Sequence, residues 1–278
     1  MIKKIFTLIA LFILIFKLNY IKAEIQENND LRFFYSTPFL AATSGILAVG
    51  FLQWDWGKGS KYKFYNERFF EQNTKEGGAD KLGHAYATYV VADAFTYYLE
   101  NKYLYSKNYA IALGSLSSLF LFTLIEVGDG TSGYGFSYED LVADAAGAAL
   151  SALFSYYPNL SKIFNFRLEV APNFKQPTAF LDNYEKSKFV FSVKLDGIDY
   201  LNKIYGLNFL EIYTSYYTRG YQNYPNNPSK HKRNYSIGLA LNVSNILTTL
   251  YGTNNKIVDT TFKYYQVPNL YIAHKKKI

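Results

Sequence analysis

Four long apolar stretches lie between residues 35 and 157, and a different pattern follows them. Pro38 to Trp54 reads PFLAATSGILAVGFLQW, and Asp80 to Leu99, Tyr109 to Val127 and Tyr138 to Tyr157 complete the set. Each runs for about 17 to 20 residues, which at a rise of roughly 1.5 Å per residue approaches the thickness of a bilayer core. The third, YAIALGSLSSLFLFTLIEV, carries no charge before Glu126 and reads as a membrane span. The second holds His84 and Asp93, and the fourth holds Asp140 and Asp144 near its start, so those groups must turn into the bundle if lipid surrounds it. Gly114, Ser117 and Ser118 in the third stretch and Ala143, Ala146, Gly147, Ala148 and Ala152 in the fourth permit close helix contact.

After Pro158 the period changes. Residues 159–187 are polar, with Pro172 and Pro177, and read as a connector. KFVFSVKLDG from Lys188, LNFLEIYTSYYTRGY from Leu207 and NYSIGLALNVS from Asn234 alternate as strands do. Three or four such strands are too few for a closed outer-membrane barrel of about eight. The expected fold is therefore mainly α: a bundle of about four apolar, membrane-embedded helices over 32–158, with a small antiparallel β appendage over 188–278. His231, among Lys230, Lys232 and Arg233, and His274, in the basic tail, are expected to be solvated.

The start of the chain fixes an address. Two lysines precede an apolar run from Ile5 to Phe16, and Ile-Lys-Ala ends the segment before Glu24. That is the layout of a secretory signal peptide over 1–23. The expected location is the bacterial cell envelope, at a membrane with periplasmic exposure, and not the cytoplasm. The formal charge of +7 falls to +3 without the four lysines of that segment. No basic stripe or finger spacing remains, so nucleic acid is excluded as a partner, and membrane lipid or another envelope protein is expected instead. The absence of cysteine removes disulfides, thiol catalysis, zinc–thiolate sites and lipid attachment through a thiol together.

Against this apolar background three polar clusters stand out: DKLGH at 80–84, EVGDGTSGYGFS at 126–137 and SYEDLVAD at 137–144. Asp80 and His84 are four apart and share a helix face. Asp80 at a helix start reads equally as an N-cap. Ser137 and Asp140 have capping-box spacing, with Asp144 one turn further along. If the second, third and fourth helices run antiparallel, Asp80, His84, Glu126, Asp129, Asp140 and Asp144 converge at one rim with Lys81 beside them. His84, Glu126, Asp129, Asp140 and Asp144 could hold a divalent metal. His84, Asp80, Glu126 and Asp140 could instead carry acid–base chemistry, the paired carboxylates raising one pKa while His84 shuttles the proton. A third reading is structural, a polar network locking helix ends. Four glycines between Gly128 and Gly135 require a particular backbone path or a close approach to something, and they lack the phosphate-loop pattern.

DKLGHAYATY followed by IEVGDGTSGYGFSYEDLVADAAG resembles the signature of the YfiM-like family of uncharacterised predicted periplasmic lipoproteins (domain of unknown function 2279). The resemblance runs from about Trp54 to Tyr157 and weakly onward through FRLEVAPNFKQP and YSIGLALNVSNI. Asp80, Lys81 and His84, then Glu126, Asp129 and Gly130, then Gly135, Phe136, Ser137 and Asp140 occupy the motif positions. A looser similarity to VanZ-like membrane proteins points to an embedded bundle. The resemblance implies an envelope address and brings no activity with it. Because the chain has no cysteine, attachment to a membrane is expected to come from its helices. The leading expectation is an envelope membrane protein whose polar network is structural or an interaction element. The alternative is a metal-dependent hydrolase or lipid-modifying enzyme acting at the membrane.

Overall fold

The computed structural model describes residues 29–59, 61–170, 184–221, 228–252 and 256–278. The expected signal peptide lies outside the described residues. The four apolar stretches form α1 (Thr37–Leu52), α2 (Ala79–Lys102), α3 (Lys107–Asp129) and α4 (Tyr138–Tyr156). Ser36 caps α1, its hydroxyl accepting from the Phe39 amide, and Pro38 sits in the first turn, where a missing N–H costs nothing. The bond between α2 and α3 is short, so the two run antiparallel, and α4 packs against both. A seven-residue 3₁₀ segment, Asn29–Tyr35, leads into α1 and inserts Phe33 among Phe39, Phe95 and Leu99, tying α1 to the far end of α2.

A short helix, α5 (Pro158–Ile163), turns the chain directly into β1 (Phe164–Val170). The segment expected to be a connector thus contributes a strand. β2 (Ser187–Lys194), β3 (Leu210–Arg219) and β4 (Lys232–Leu241) follow, then α6 (Val243–Tyr251), α7 (Lys256–Tyr264) and β5 (Tyr271–Lys277). The strands lie in sequential order in one antiparallel sheet. The register aligns Val193, Ile212, Leu239 and Ile272 on one face, and Lys194, Glu211, Ala240 and Tyr271 on the other. Just before β5, Tyr265 bridges to Leu168 of β1, and the Gln266 amide donates to the Leu168 carbonyl at 3.0 Å. Both ends of the sheet are thereby drawn toward each other.

The face bearing Arg167 and Glu211 buries charged groups beside an apolar cluster of Val190, Tyr213 and Ala240. Arg167 of β1 makes a two-pronged pair with Glu211 of β3, at 2.7 and 3.0 Å, and Gln266 accepts a further bond from it at 3.2 Å. Glu169 takes Lys188 and the Tyr271 hydroxyl. Fully desolvated charges persist only when paired in this way. Phe166 and Phe189 leave from the opposite face and pack against Ala79, Tyr89 and Phe154, which fixes the sheet to the bundle. Asp93, the charge in the middle of α2, is answered from the same side by Lys263 and Tyr264 of α7, with Ser151 and Ser155 of α4 completing its shell.

Two expectations about histidine part company here. His274 is exposed on β5, within a tail that is a strand rather than free chain. His231 is completely buried and stacks on Tyr221 at 4.1 Å between ring centroids, with Gln72 donating to its carbonyl. Among the described residues one helix, α3, is long and apolar enough to cross a membrane, while α1 is shorter. α2 and α4 do not reach that threshold, so a bundle of four spanning helices is not what the fold presents.

Candidate functional site

Antiparallel packing brings the start of α2, the end of α3 and the start of α4 to one rim, as the spacing of the polar clusters requires. Gly78, in the left-handed region at φ 86°, occupies the N-cap of α2. Asp80 is therefore not the cap but lies in the first turn, where its charge suits the helix dipole. At the start of α4 the Ser137 hydroxyl accepts from the Asp140 amide at 3.3 Å, as the capping spacing suggests. The reciprocal half of the box is missing. It is Glu126 of α3, not Asp140, whose carboxylate accepts the Ser137 amide, at 3.1 Å. Asp140 is turned instead toward Lys81.

Lys81 is the centre of one half of the site. Its ammonium is 2.9 Å from Asp80 and 2.7 Å from Asp140, and it also pairs with Glu67 of the loop before α2. Only 3% of its side chain is accessible, so three carboxylates surround a buried cation. His84, one turn on, is the centre of the other half. Its Nδ1 lies 3.1 Å from Asp144 and 3.8 Å from Glu126, and its Nε2 lies 3.9 Å from Asp140. Thr88, a further turn along the same face, donates to the same Asp144 oxygen at 2.8 Å. Asp140 links the two halves.

Five carboxylates meet one ammonium and one imidazole here, and the imbalance shows in the loop acids. Burial pushes the Glu67 carboxyl up to about 7, with Asp140 and Asp80 adding to the rise and Lys81 opposing it. Burial likewise pushes Glu76 up to about 8, helped by Asp80. Desolvation of an acid favours its neutral form, and neighbouring negative charge reinforces the effect.

Asp129 stands apart from these groups. Its carboxylate accepts from the Trp56 indole N–H at 2.6 Å, which anchors the loop after α1. That loop also explains the glycines. A Cβ on Gly128 would lie 2.2 Å from the Trp56 ring, and one on Gly130 would lie 2.2 Å from the Tyr62 ring. The close approach anticipated for this turn is made by aromatic side chains of the chain itself. The Lys63 amide donates to the Gly130 carbonyl, the Phe136 amide to the Lys63 carbonyl and the Tyr65 amide to the Phe136 carbonyl, and the loop so held delivers Glu67 to the rim. Glu67 carries no sequence signal, lying in an aperiodic, aromatic-rich stretch. Thr88 was also missed, although it continues the four-residue spacing from Asp80 through His84.

Chemically, the rim offers an imidazole, several carboxylates and a buried ammonium. The Ser137 hydroxyl is committed to the Asp140 amide and to Glu139 rather than to a general base such as His84.

Residues 66–156 match the family described as "Predicted periplasmic lipoprotein (DUF2279)", a span that takes in the Glu67 loop, α2, α3 and α4 and so contains the rim's acids, Lys81 and His84. No curated protein and no solved structure matches the chain. The looser VanZ-like resemblance has no support from these matches. The family description sets the protein in the cell envelope rather than the cytoplasm. The sequence has no cysteine to carry the lipid that the description names.

Proposed function

We propose, with residues 66–156 taken as the family's envelope domain, that the protein is seated in a membrane of the envelope by its outward apolar faces. The rim network then serves as a structural or interaction element that fixes three helix ends. One observation carries this reading: in both halves of the molecule an outward face exposes apolar side chains while polar and charged ones are buried. The exposed positions of α3 from Tyr109 onward are Tyr109, Ala112, Leu116, Phe120 and Val127. Those of α4 are Tyr138, Val142, Ala145, Ala146, Ala149, Leu153 and Tyr156. Ser115, Ser117, Ser118, Ser151, Glu139 and Asp144 are buried between the helices.

The sheet repeats the arrangement. Phe191, Ile212, Ile237, Leu239 and Ile272 point outward and are exposed, whereas Arg167, Glu169, Ser192, Glu211, Ser215 and Ser236 point inward and are buried. A protein surrounded by water keeps its ions outside and rarely exposes so continuous an apolar surface. Surrounded by hydrocarbon, the same sequence keeps Arg167 paired with Glu211 and Lys188 with Glu169, on the side away from lipid. Tyrosines at the ends of α3 and α4 suit the interface between lipid and water.

Fractionation tests the reading. Expressed with its native N-terminus in a bacterium, the protein is expected in the membrane pellet after carbonate extraction and in solution only with detergent. Recovery as a detergent-free soluble monomer would overturn it.

A further inference from the structure

We infer that His84, Glu126 and Asp144 form a binding site for one divalent transition-metal ion of the Zn²⁺ or Mn²⁺ kind. This claim is separate from membrane seating. The three residues come from three helices, and one ligand atom from each lies within 4.8 Å of the others. The spacing fits a coordination shell. Ligands at about 2.1 Å from an ion stand roughly 3 to 4 Å from one another, and His84 Nδ1 is 3.1 Å from Asp144 Oδ1 and 3.8 Å from Glu126 Oε1.

A second observation points the same way. Asp144 is fully buried, yet its Oδ2 has no hydrogen-bond partner. An ionised oxygen in that position is expensive, and a cation shared with Oδ1 is one of the few partners able to relieve it. The neighbouring acid triad, Glu67, Asp80 and Asp140, has similar spacing, but Lys81 already stands within it. That contrast selects the His84 group as the one without a resident strong cation.

The surroundings have the form of an outer shell. Thr88 donates to Asp144, the Ser137 amide donates to the second oxygen of Glu126, and Asp140 faces His84 Nε2 at 3.9 Å, the side from which a carboxylate orients a metal-bound imidazole. One imidazole nitrogen with two carboxylates favours borderline ions over Ca²⁺ or Mg²⁺, which prefer all-oxygen shells.

The test uses the purified full chain in detergent, stripped with chelator and titrated with ZnCl₂ or MnCl₂. Co²⁺ serves as a visible-absorption reporter on the wild type alone. One ion per folded chain, with cobalt d–d bands displaced by Zn²⁺, is expected. Asp144→Asn is expected to abolish uptake, and Thr88→Val, which removes only an outer hydrogen bond, to weaken it about 10- to 100-fold. If Asp144→Asn does not fold, Thr88→Val carries the comparison. Folded wild type that takes up no ion, or uptake unaltered in these variants, overturns the assignment, as does a preference for Ca²⁺ or Mg²⁺.

Discussion

Gly147→Ala is the sharpest perturbation of the contact between α2 and α4. A Cβ at position 147 would lie 2.1 Å from the carbonyl oxygen of Ala85 and 2.9 Å from its carbonyl carbon. Both are backbone atoms of a helix and cannot swing aside. To restore an ordinary contact α4 must retreat by roughly 1 Å, and overpacking of this kind typically costs about 1 to 3 kcal/mol, with backbone clashes at the upper end. Alanine's better helix propensity returns about 1 kcal/mol, so a net loss of roughly 2 kcal/mol is expected. For a chain of this size that lowers the melting temperature by about 4 to 8 °C.

The same displacement reaches the rim. Ala85 adjoins His84, and Asp144 lies one turn before Gly147, so the 3.1 Å contact between His84 and Asp144 should lengthen. Gly45→Ala is the matched control. It also lies within an apolar helix, but nothing stands within 4 Å of its added Cβ, and the substitution should stabilise by up to about 1 kcal/mol. Thermal unfolding in detergent, followed by circular dichroism and by the imidazole NMR signals of His84, reads both effects. If Gly147→Ala melts at or above the wild-type temperature, the helices are not packed backbone to backbone at that level and the reasoning fails.

Two further outcomes follow from the rim's charges. Lys81→Met leaves Glu67, Asp80 and Asp140 without their shared buried cation and should cost about 3 to 5 kcal/mol; a melting temperature within error of wild type at pH 8 would remove Lys81 from the centre of the network. Stability should also decline as pH rises, because folded Glu76 and Glu67 bind protons more tightly than the unfolded chain does. Their contribution is complete below the unfolded value of about 4.5 and is lost as pH climbs through about 7 for Glu67 and about 8 for Glu76, with a slope of up to roughly 1.4 kcal/mol per pH unit for each group. Denaturation midpoints measured from pH 5 to 9 should show that decline, and Glu76→Gln should flatten its upper part; a midpoint that rises with pH would contradict the assignment.

The sequence by itself determined the helices and which of their ends must meet. α1 to α4 begin and end within a few residues of the apolar stretches, because helix periodicity and apolar runs are local properties of the chain. Antiparallel order then obliges DKLGH, EVGDG and SYED to share a rim. What the sequence could not decide was which charge answers which. FNFRLEV lies in the stretch read as a polar connector, and its arginine and glutamate are buried only because Glu211 and Lys188 arrive beside them from β3 and β2. YIAHKKK becomes a strand only through pairing with β4. Glu67 reaches the rim because Trp56 and Tyr62 pack onto glycines more than sixty residues away, and Asp140 pairs with Lys81 while Glu126 takes the Ser137 amide. These are contacts between distant segments, and the free energy of a buried ion depends on its partner rather than on its neighbours in the chain. Tertiary structure alone supplies that partner.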